Sequence, residues 1–338
     1  MEIQIERSSE PDEKEWNTIL SQSKTAHVYN TIEWAKIAQE TLGYKPIYYT
    51  VKEKNIPVGC FHIFEKSAIP EGIAKHISRI RFTYASPIII SENKKEILHE
   101  LLSEVIKDAK KEGIASINIW DTPYLDESEA FESMGFSNEE KHNILIDLRS
   151  SPDESFQELE KGLRKNIRHA IESLKTSASF IDTPTQDDLE EYYSLYDSHH
   201  AQIGIESYPC SYLQSIWDRL ITKDLAKFFI IKYDNKIGAG LIFSTFNNRM
   251  YEMSVASSGE YHAMFPNDLL KWKAIEWGIK NNYELFDISN VPVNPKEGTK
   301  EHGILRFKKK WGRIAKYHAY KKTGILGHLW NIKKNIMK

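Results

Sequence analysis

The feature that most constrains what this chain folds into is an internal repeat of element order. The segment from Trp34, WAKIAQETLGYKPIYYTVKEKNIPVGCFHIF, has a partner from Ile216, IWDRLITKDLAKFFIIKYDNKIGAGLIFSTF, and both read as helix, strand, turn, strand. Turn-forming residues at Lys54 to Gly59 and at Asp234 to Gly238 join runs rich in Tyr, Phe, Ile and Val, as a β-hairpin requires. Each half continues alike. Leu98, Leu101, Leu102, Val105 and Ala109 recur at helical spacing before Gly113 and a strand from Ala115 to Trp120. Leu270, Ala274 and Trp277 do the same before Asn281, Asn282 and a strand from Glu284 to Ile288. Such an order also recurs by chance in α+β domains, but the matched turn chemistry favours duplication.

A length of 338 residues suits two cores rather than one. The reading is therefore 1–150 as a first domain, 151–313 as a second, and 314–338 as a basic tail that packs on the first domain or lies on an anionic membrane. The boundary follows a strand at Asn143 to Leu148 and falls at Ser150, Ser151 and Pro152, with capping-box spacing predicted at Ser155 to Glu158. In the tail a strand is predicted from Ile314 to Tyr320. A short amphipathic helix follows, with Ile325, Leu329, Trp330, Ile332 and Ile336 interleaved with Lys333 and Lys334.

Charge narrows the partners. A formal net charge of -3 does not suit a whole-surface nucleic-acid footprint. From Lys300 to Lys338, however, twelve Lys or Arg face a single acid, Glu301, so one end of the chain is strongly cationic. Cys60 and Cys210 lie too far apart for a CxxC site, which fits a reducing compartment. The charged start and the lack of a long apolar run point to a cytoplasmic protein, either free or peripheral at the inner membrane face.

Four motifs, in order, carry a family resemblance: TIEWAK, ELEKGLRKNIRHA, FPNDLLKWKAIEWG followed by YELFDIS, and GILRFKKKWG. Strand, hairpin and central helix in this order resemble the acetyltransferase (GNAT) fold. Two such halves in tandem resemble the Fem family of peptidoglycan bridge aminoacyltransferases, from about Thr31 to Trp311. The resemblance implies an α/β (α+β) chain of two GNAT-like domains with mixed sheets flanked by helices. It also implies transfer of an amino acid from aminoacyl-tRNA to an amine of a nucleotide-sugar or lipid-linked cell-envelope precursor, with no cofactor and no metal. An ordinary acetyltransferase carries a glycine-rich turn for the coenzyme A pyrophosphate. Here the stretch reads SGEYHAMFPNDLL, with bulky Tyr261, Met264 and Phe265 where backbone would approach phosphate, so coenzyme A is disfavoured as donor.

Acyl transfer from an ester to an amine passes through an oxyanion that a fixed cation stabilises. Resemblance places Lys308 in that role, on a strand, with Phe307 before it; the alternative is a solvated run of Lys308, Lys309 and Lys310. Asp287 is the candidate general base at a strand end, while Asp268 reads as a helix N-cap. Lys36, after Trp34, matches the family lysine near the acceptor phosphates or is a surface lysine. Arg164 and Arg168 share a helix face and suit phosphate or the tRNA acceptor end, and Arg306 is a further binding candidate. In HHAQIGIESYPCSY, Tyr212 fits the family while His199 and Gln202 replace a Thr-x-x-Arg pair, which leaves the acceptor open. Tyr84, Tyr251 and Trp34 line a cleft or belong to the core. Two rival functions are carried along: an N-acyltransferase that moves an acyl group from a thioester to an amino sugar, and a non-catalytic RNA- or membrane-surface adaptor using the basic tail.

Overall fold

A computed structural model describes residues 2–67, 78–122, 128–325 and 327. The chain divides into two compact units, Met1–Lys141 with Lys316–Lys338, and His142–Ala315.

The first unit contains β1 (Ile3–Ser8), α1 (Glu13–Gln22), α2 (Ile32–Leu42), β2 (Lys45–Glu53), β3 (Ile56–Ser67), β4 (Arg79–Thr83), β5 (Ile88–Ile89), α3 (Lys94–Lys111), β6 (Ser116–Trp120) and α4 (Ser128–Ser133). β7 (Ser137–Asp147) leads into the second unit. There follow α5 (Pro152–Glu158), α6 (Lys161–Ser173), β8 (Ala178–Ile181), α7 (Gln186–Ile203), α8 (Cys210–Ile216), β9 (Ala226–Tyr233), β10 (Lys236–Phe246), β11 (Arg249–Ser257), α9 (Pro266–Lys280), β12 (Leu285–Val291) and α10 (Lys300–Lys309). β13 (Arg313–Thr323) is the last strand of the described chain.

The sheets of the two units share one pairing scheme. In the first the order is β1-β2-β3-β4-β6-β13, and in the second β8-β9-β10-β11-β12-β7. One neighbouring pair in each is parallel, β4 with β6 and β11 with β12; the other described pairs are antiparallel. The duplication read from the sequence is thus visible strand by strand, and the fold is a tandem acetyltransferase-like α/β architecture. Both hairpins turn on two residues with left-handed backbone, Lys54-Asn55 (φ 49° and 66°) and Asp234-Asn235 (φ 48° and 64°). Asn and Asp tolerate that conformation, and its twist matches the flanking strands.

The sixth strand of each sheet comes from the other half of the sequence. β13 pairs β6 from Ala319↔Trp120 to Thr323↔Ser116, and β7 pairs β12 from Leu285↔Asp147 to Val291↔His142. The unit boundary therefore falls inside β7, ahead of the Ser150 break expected from composition. A capping box is present, but at Ser151 and Glu154, four residues before the predicted one. The amphipathic helix expected beyond Ile325 lies outside the described residues.

Each unit has its own core. In the first, the α3 stripe Ile97, Leu98, Leu101, Leu102, Val105, Ile106 and Ala109 packs on Tyr49, Phe61, Ile63, Ile119 and Tyr320. In the second, α9 is buried nearly all round and packs with Leu163, Ile167, Phe229, Phe243 and Phe286. Each such aliphatic or aromatic side chain contributes about 1.5–3 kcal/mol by leaving water. None of the described helices is long and apolar enough to cross a membrane.

Candidate active site

The second unit opens its sheet at one point. β11 and β12 run parallel only from Arg249↔Leu285 to Tyr251↔Asp287, and their ladder then ends. Beside that end each strand carries an irregularity. β11 skips Met253 in its register with β10, and β12 skips Ile288 and Ser289 in its register with β7. Ser289 has φ 71°, a conformation that costs a non-glycine residue energy and that recurs at functional sites. Asp287 braces this bulge: its carboxylate accepts from Asn143 Nδ2 at 3.0 and 2.8 Å and from the Ser289 backbone N–H at 2.8 Å. The Tyr251 hydroxyl reaches Ser289 Oγ at 3.5 Å.

Lys308 enters the opening from α10. Its Nζ donates to the Ile288 carbonyl at 2.6 Å, lies 3.5 Å from the Asn290 carbonyl, and stands 3.5 Å from Glu252 Oε1 on the opposite strand. One ammonium thus spans the gap between β11 and β12. Burial pushes it down to about 8, while the Asp287 carboxylate pulls it back up. The predicted strand around GILRFKKKWG is corrected here. Residues 300–309 are helical, capped by the Thr299 side chain on the His302 N–H, and helical spacing turns Leu305 and Lys308 inward. The same spacing leaves Arg306 and Lys309 exposed and sets the Phe307 ring at the surface, with Lys310 Nζ 4.9 Å from its centroid.

Two residues at this opening were not legible in the sequence. Glu252 and Lys271 form a buried ion pair, each side chain 5% exposed, with Lys271 reaching down from α9 over the Phe286 ring. Desolvation, and then the nearby Lys308, presses Lys271 below its ordinary value. In RMYEMSVAS the apolar phase is Tyr251, Met253 and Val255, which predicts Glu252 on the outer face. The buried phase is instead Met250, Glu252, Ser254 and Ala256. Lys271 carried no signal of its own, because Lys273 and Glu276 put charge on the same helix, where they pair at 2.8 Å.

Asp268 is not the α9 N-cap. Phe265, with φ 52°, holds that position, Pro266 follows, and the Asp268 carboxyl is buried and accepts from Asn166 on α6 at 2.9 Å. Burial raises it above the usual carboxylate value against the pull of Asn166 and Lys310. The turn from Gly259 to Met264 is a 3-10 helix rather than an open glycine loop. Pro266 offers no N–H, and a buried acid stands in the first turn of α9, so these residues do not fit a pyrophosphate.

The remaining candidates fall into separate groups. On α6, Arg164 Nη1 donates to Gln157 at 2.6 Å and its Nε is buried without a hydrogen-bond partner, while the Arg168 guanidinium lies 5.2 Å over the Phe156 ring. Gln202 and His199 border a cavity of about 350 Å³ with Glu191, Lys236, Ser257 and Tyr261. Tyr212 is buried, its ring 4.5 Å from that of Tyr208. In the first unit, Trp34 is buried against Tyr29 (4.6 Å) and Tyr84 (6.5 Å), and Tyr84 meets Trp120. Lys36 pairs with Glu13 at 2.7 Å on the surface.

Residues 161–296 match the acetyltransferase (GNAT) domain family. In two strains of Staphylococcus epidermidis, a lipid II:glycine glycyltransferase is 20% identical over a match that covers 70% of this chain and 76% of that protein. A crystal structure of FemX superposes with a TM-score of 0.76 at 14% identity, covering 93% of this chain and 96% of that one. A tandem GNAT protein from the clavulanic acid biosynthesis pathway gives a TM-score of 0.58 at 10% identity, with 95% and 98% covered.

Proposed function

We propose, from the premise that this chain is an acyltransferase of tandem acetyltransferase fold related to the Fem-type ligases, that it moves an amino acid from aminoacyl-tRNA to an amine of a lipid-linked peptidoglycan precursor or related cell-envelope precursor. The observation that carries the reading is Lys308 bridging the splayed strands. The carbonyl of the donor ester enters the opening between β11 and β12, and the acceptor amine attacks it. The long contacts of Lys308 to Asn290 and Glu252 leave N–H capacity for the oxyanion that forms. Collapse breaks the carbon–oxygen bond to the ribose and leaves an amide, and the proton shed by the amine goes to the departing ribose oxygen.

Asp287 serves this step by its charge rather than as the proton acceptor, because its oxygens already accept three hydrogen bonds. The substrate's own groups carry the proton. Arg164, Arg168, Arg306 and Lys36 are the phosphate-binding candidates, and Trp34, Tyr84, Gln202, Tyr212 and Tyr251 the remaining binding residues. The misfit of the α9 turn to a pyrophosphate supports a donor other than coenzyme A. The glycyltransferase relatives, named for lipid II, support the acceptor. Twelve cations against one acid beyond residue 299 support work at the anionic inner face of the membrane, from the cytoplasm.

The test is transfer of radiolabel from tRNA charged with mixed amino acids to purified lipid-linked precursor, wild type against Lys308→Ala. Label that moves only with wild type supports the reading. Absence of transfer with intact substrates, or transfer from an acyl thioester to a sugar amine, overturns it.

A further inference from the structure

We propose that Glu252 and Lys271 are positioning residues for Lys308: Lys271 holds the Glu252 carboxylate from behind the sheet, and Glu252 presents its other oxygen to the Lys308 amine across the strand opening. The inference rests on the assignment of Lys308 above and deepens it.

Three observations converge. First, Glu252 lies beside the β11 bulge and faces inward, one residue beyond the end of the β11–β12 ladder. Its backbone therefore sits where the opening begins. Second, its two oxygens are divided, Oε2 to Lys271 and Oε1 to Lys308. Third, a buried carboxylate and ammonium are expensive to desolvate, and well-packed apolar residues of similar volume are often as stable or more so. Such a pair is therefore weak as a stabilising device, whereas it fixes geometry well.

The charges around Lys308 balance by sign. Glu252 on β11 and Asp287 on β12 attract the ammonium, and Lys271 on α9 repels it. On its own helix Arg306 and Lys309 are exposed, and Lys310 lies over Phe307. Removing Glu252 takes away an attracting charge and an anchor. Removing Lys271 takes away a repelling charge and frees Glu252 to close on Lys308.

The experiment reads Lys308 directly, without substrates. The unliganded protein is labelled with trace acetic anhydride across pH, and modification of the Lys308 peptide is quantified by mass spectrometry. Wild type should show a midpoint near 8. Lys271→Met should move the midpoint up and Glu252→Gln should move it down, each on the order of one pH unit. Lys271→Arg, which keeps the cation, should restore the wild-type midpoint. Unchanged midpoints in Lys271→Met and Glu252→Gln, with melting and circular dichroism showing both folded, overturn the proposal. Should either fail to fold, the charge exchange Glu252→Lys with Lys271→Glu keeps the pair and inverts the sign facing Lys308. A pair that is only structural leaves the midpoint where it was, and a positioning pair lowers it. Shifted midpoints in a protein that transfers nothing from charged tRNA would leave this inference standing and remove the donor assignment instead.

Discussion

At the scale of single residues, Lys308 separates function from stability. Its ammonium is lowered from 10.5 to about 8, so the unfolded chain holds a proton that the folded one has released between those values. Stability from this group therefore rises with pH across that window, and at neutral pH its buried charge is a cost. Lys308→Met should accordingly raise stability at pH 7 by on the order of 1 kcal/mol in urea titration while reducing transfer about 10²- to 10³-fold. Because the proposed oxyanion role needs the charged form, wild-type transfer should fall as pH rises through about 8. The opposite sign is expected of Asp287→Asn, which sets an amide N–H₂ against the donors of Asn143 and Ser289. It should cost about 1–3 kcal/mol and lower the pH above which transfer fails. Of these residues, Lys308 and Asp287 were readable from motif order, since their neighbours are distinctive. Glu252 was not, because the apolar alternation of its strand runs on the opposite face, and no local pattern reports which face a bulged strand buries.

At the scale of elements, the question is what holds α10 against β12. The helix buries no residue fully, only partly covering Leu305 and Lys308, and reading it as a strand followed from the family resemblance rather than from any period. The anchor lies just past its end. Trp311 is 4% exposed in the second core, and the next residue, Gly312, packs so closely that an added Cβ would stand 2.2 Å from the Leu145 carbonyl oxygen. Trp311→Ala should cost about 3–5 kcal/mol by denaturant melting and should lower transfer beyond that loss, because Lys308 then rides on an untethered helix. Gly312→Ala should be disruptive for a different reason, a clash with backbone that cannot move aside. The hairpins stand at the other extreme of legibility. Lys54-Asn55 and Asp234-Asn235 were readable because a two-residue turn restricts chemistry locally. The end of the β11–β12 ladder was hidden because it depends on pairing between segments far apart in sequence.

At the scale of the whole molecule, the duplication was readable, as was a C-terminal strand packing on the first domain, while the passage of β7 to the second sheet was not, because a strand's pattern records that one face is buried and not which sheet buries it. The exchange makes the first unit depend on the end of the chain. β13 supplies five register pairs to β6, Tyr320 stacks on Phe131 with ring centroids 4.0 Å apart, and Lys322 Nζ donates to the Met134 carbonyl. All of these lie beyond Ala315. Truncation after that residue should therefore unpair β6 and open the core beneath α3, although nothing within 1–141 has been altered. The second unit keeps the strands β8 to β12 and its own core, because these precede the cut. Amide hydrogen exchange discriminates the two outcomes. Protection in β6 and α3 should collapse in the truncated chain while β9, β10 and α9 stay protected. Retained protection in β6 would mean that the first unit closes its sheet without the C-terminal strand, and that the exchange is a feature of topology with no weight in stability.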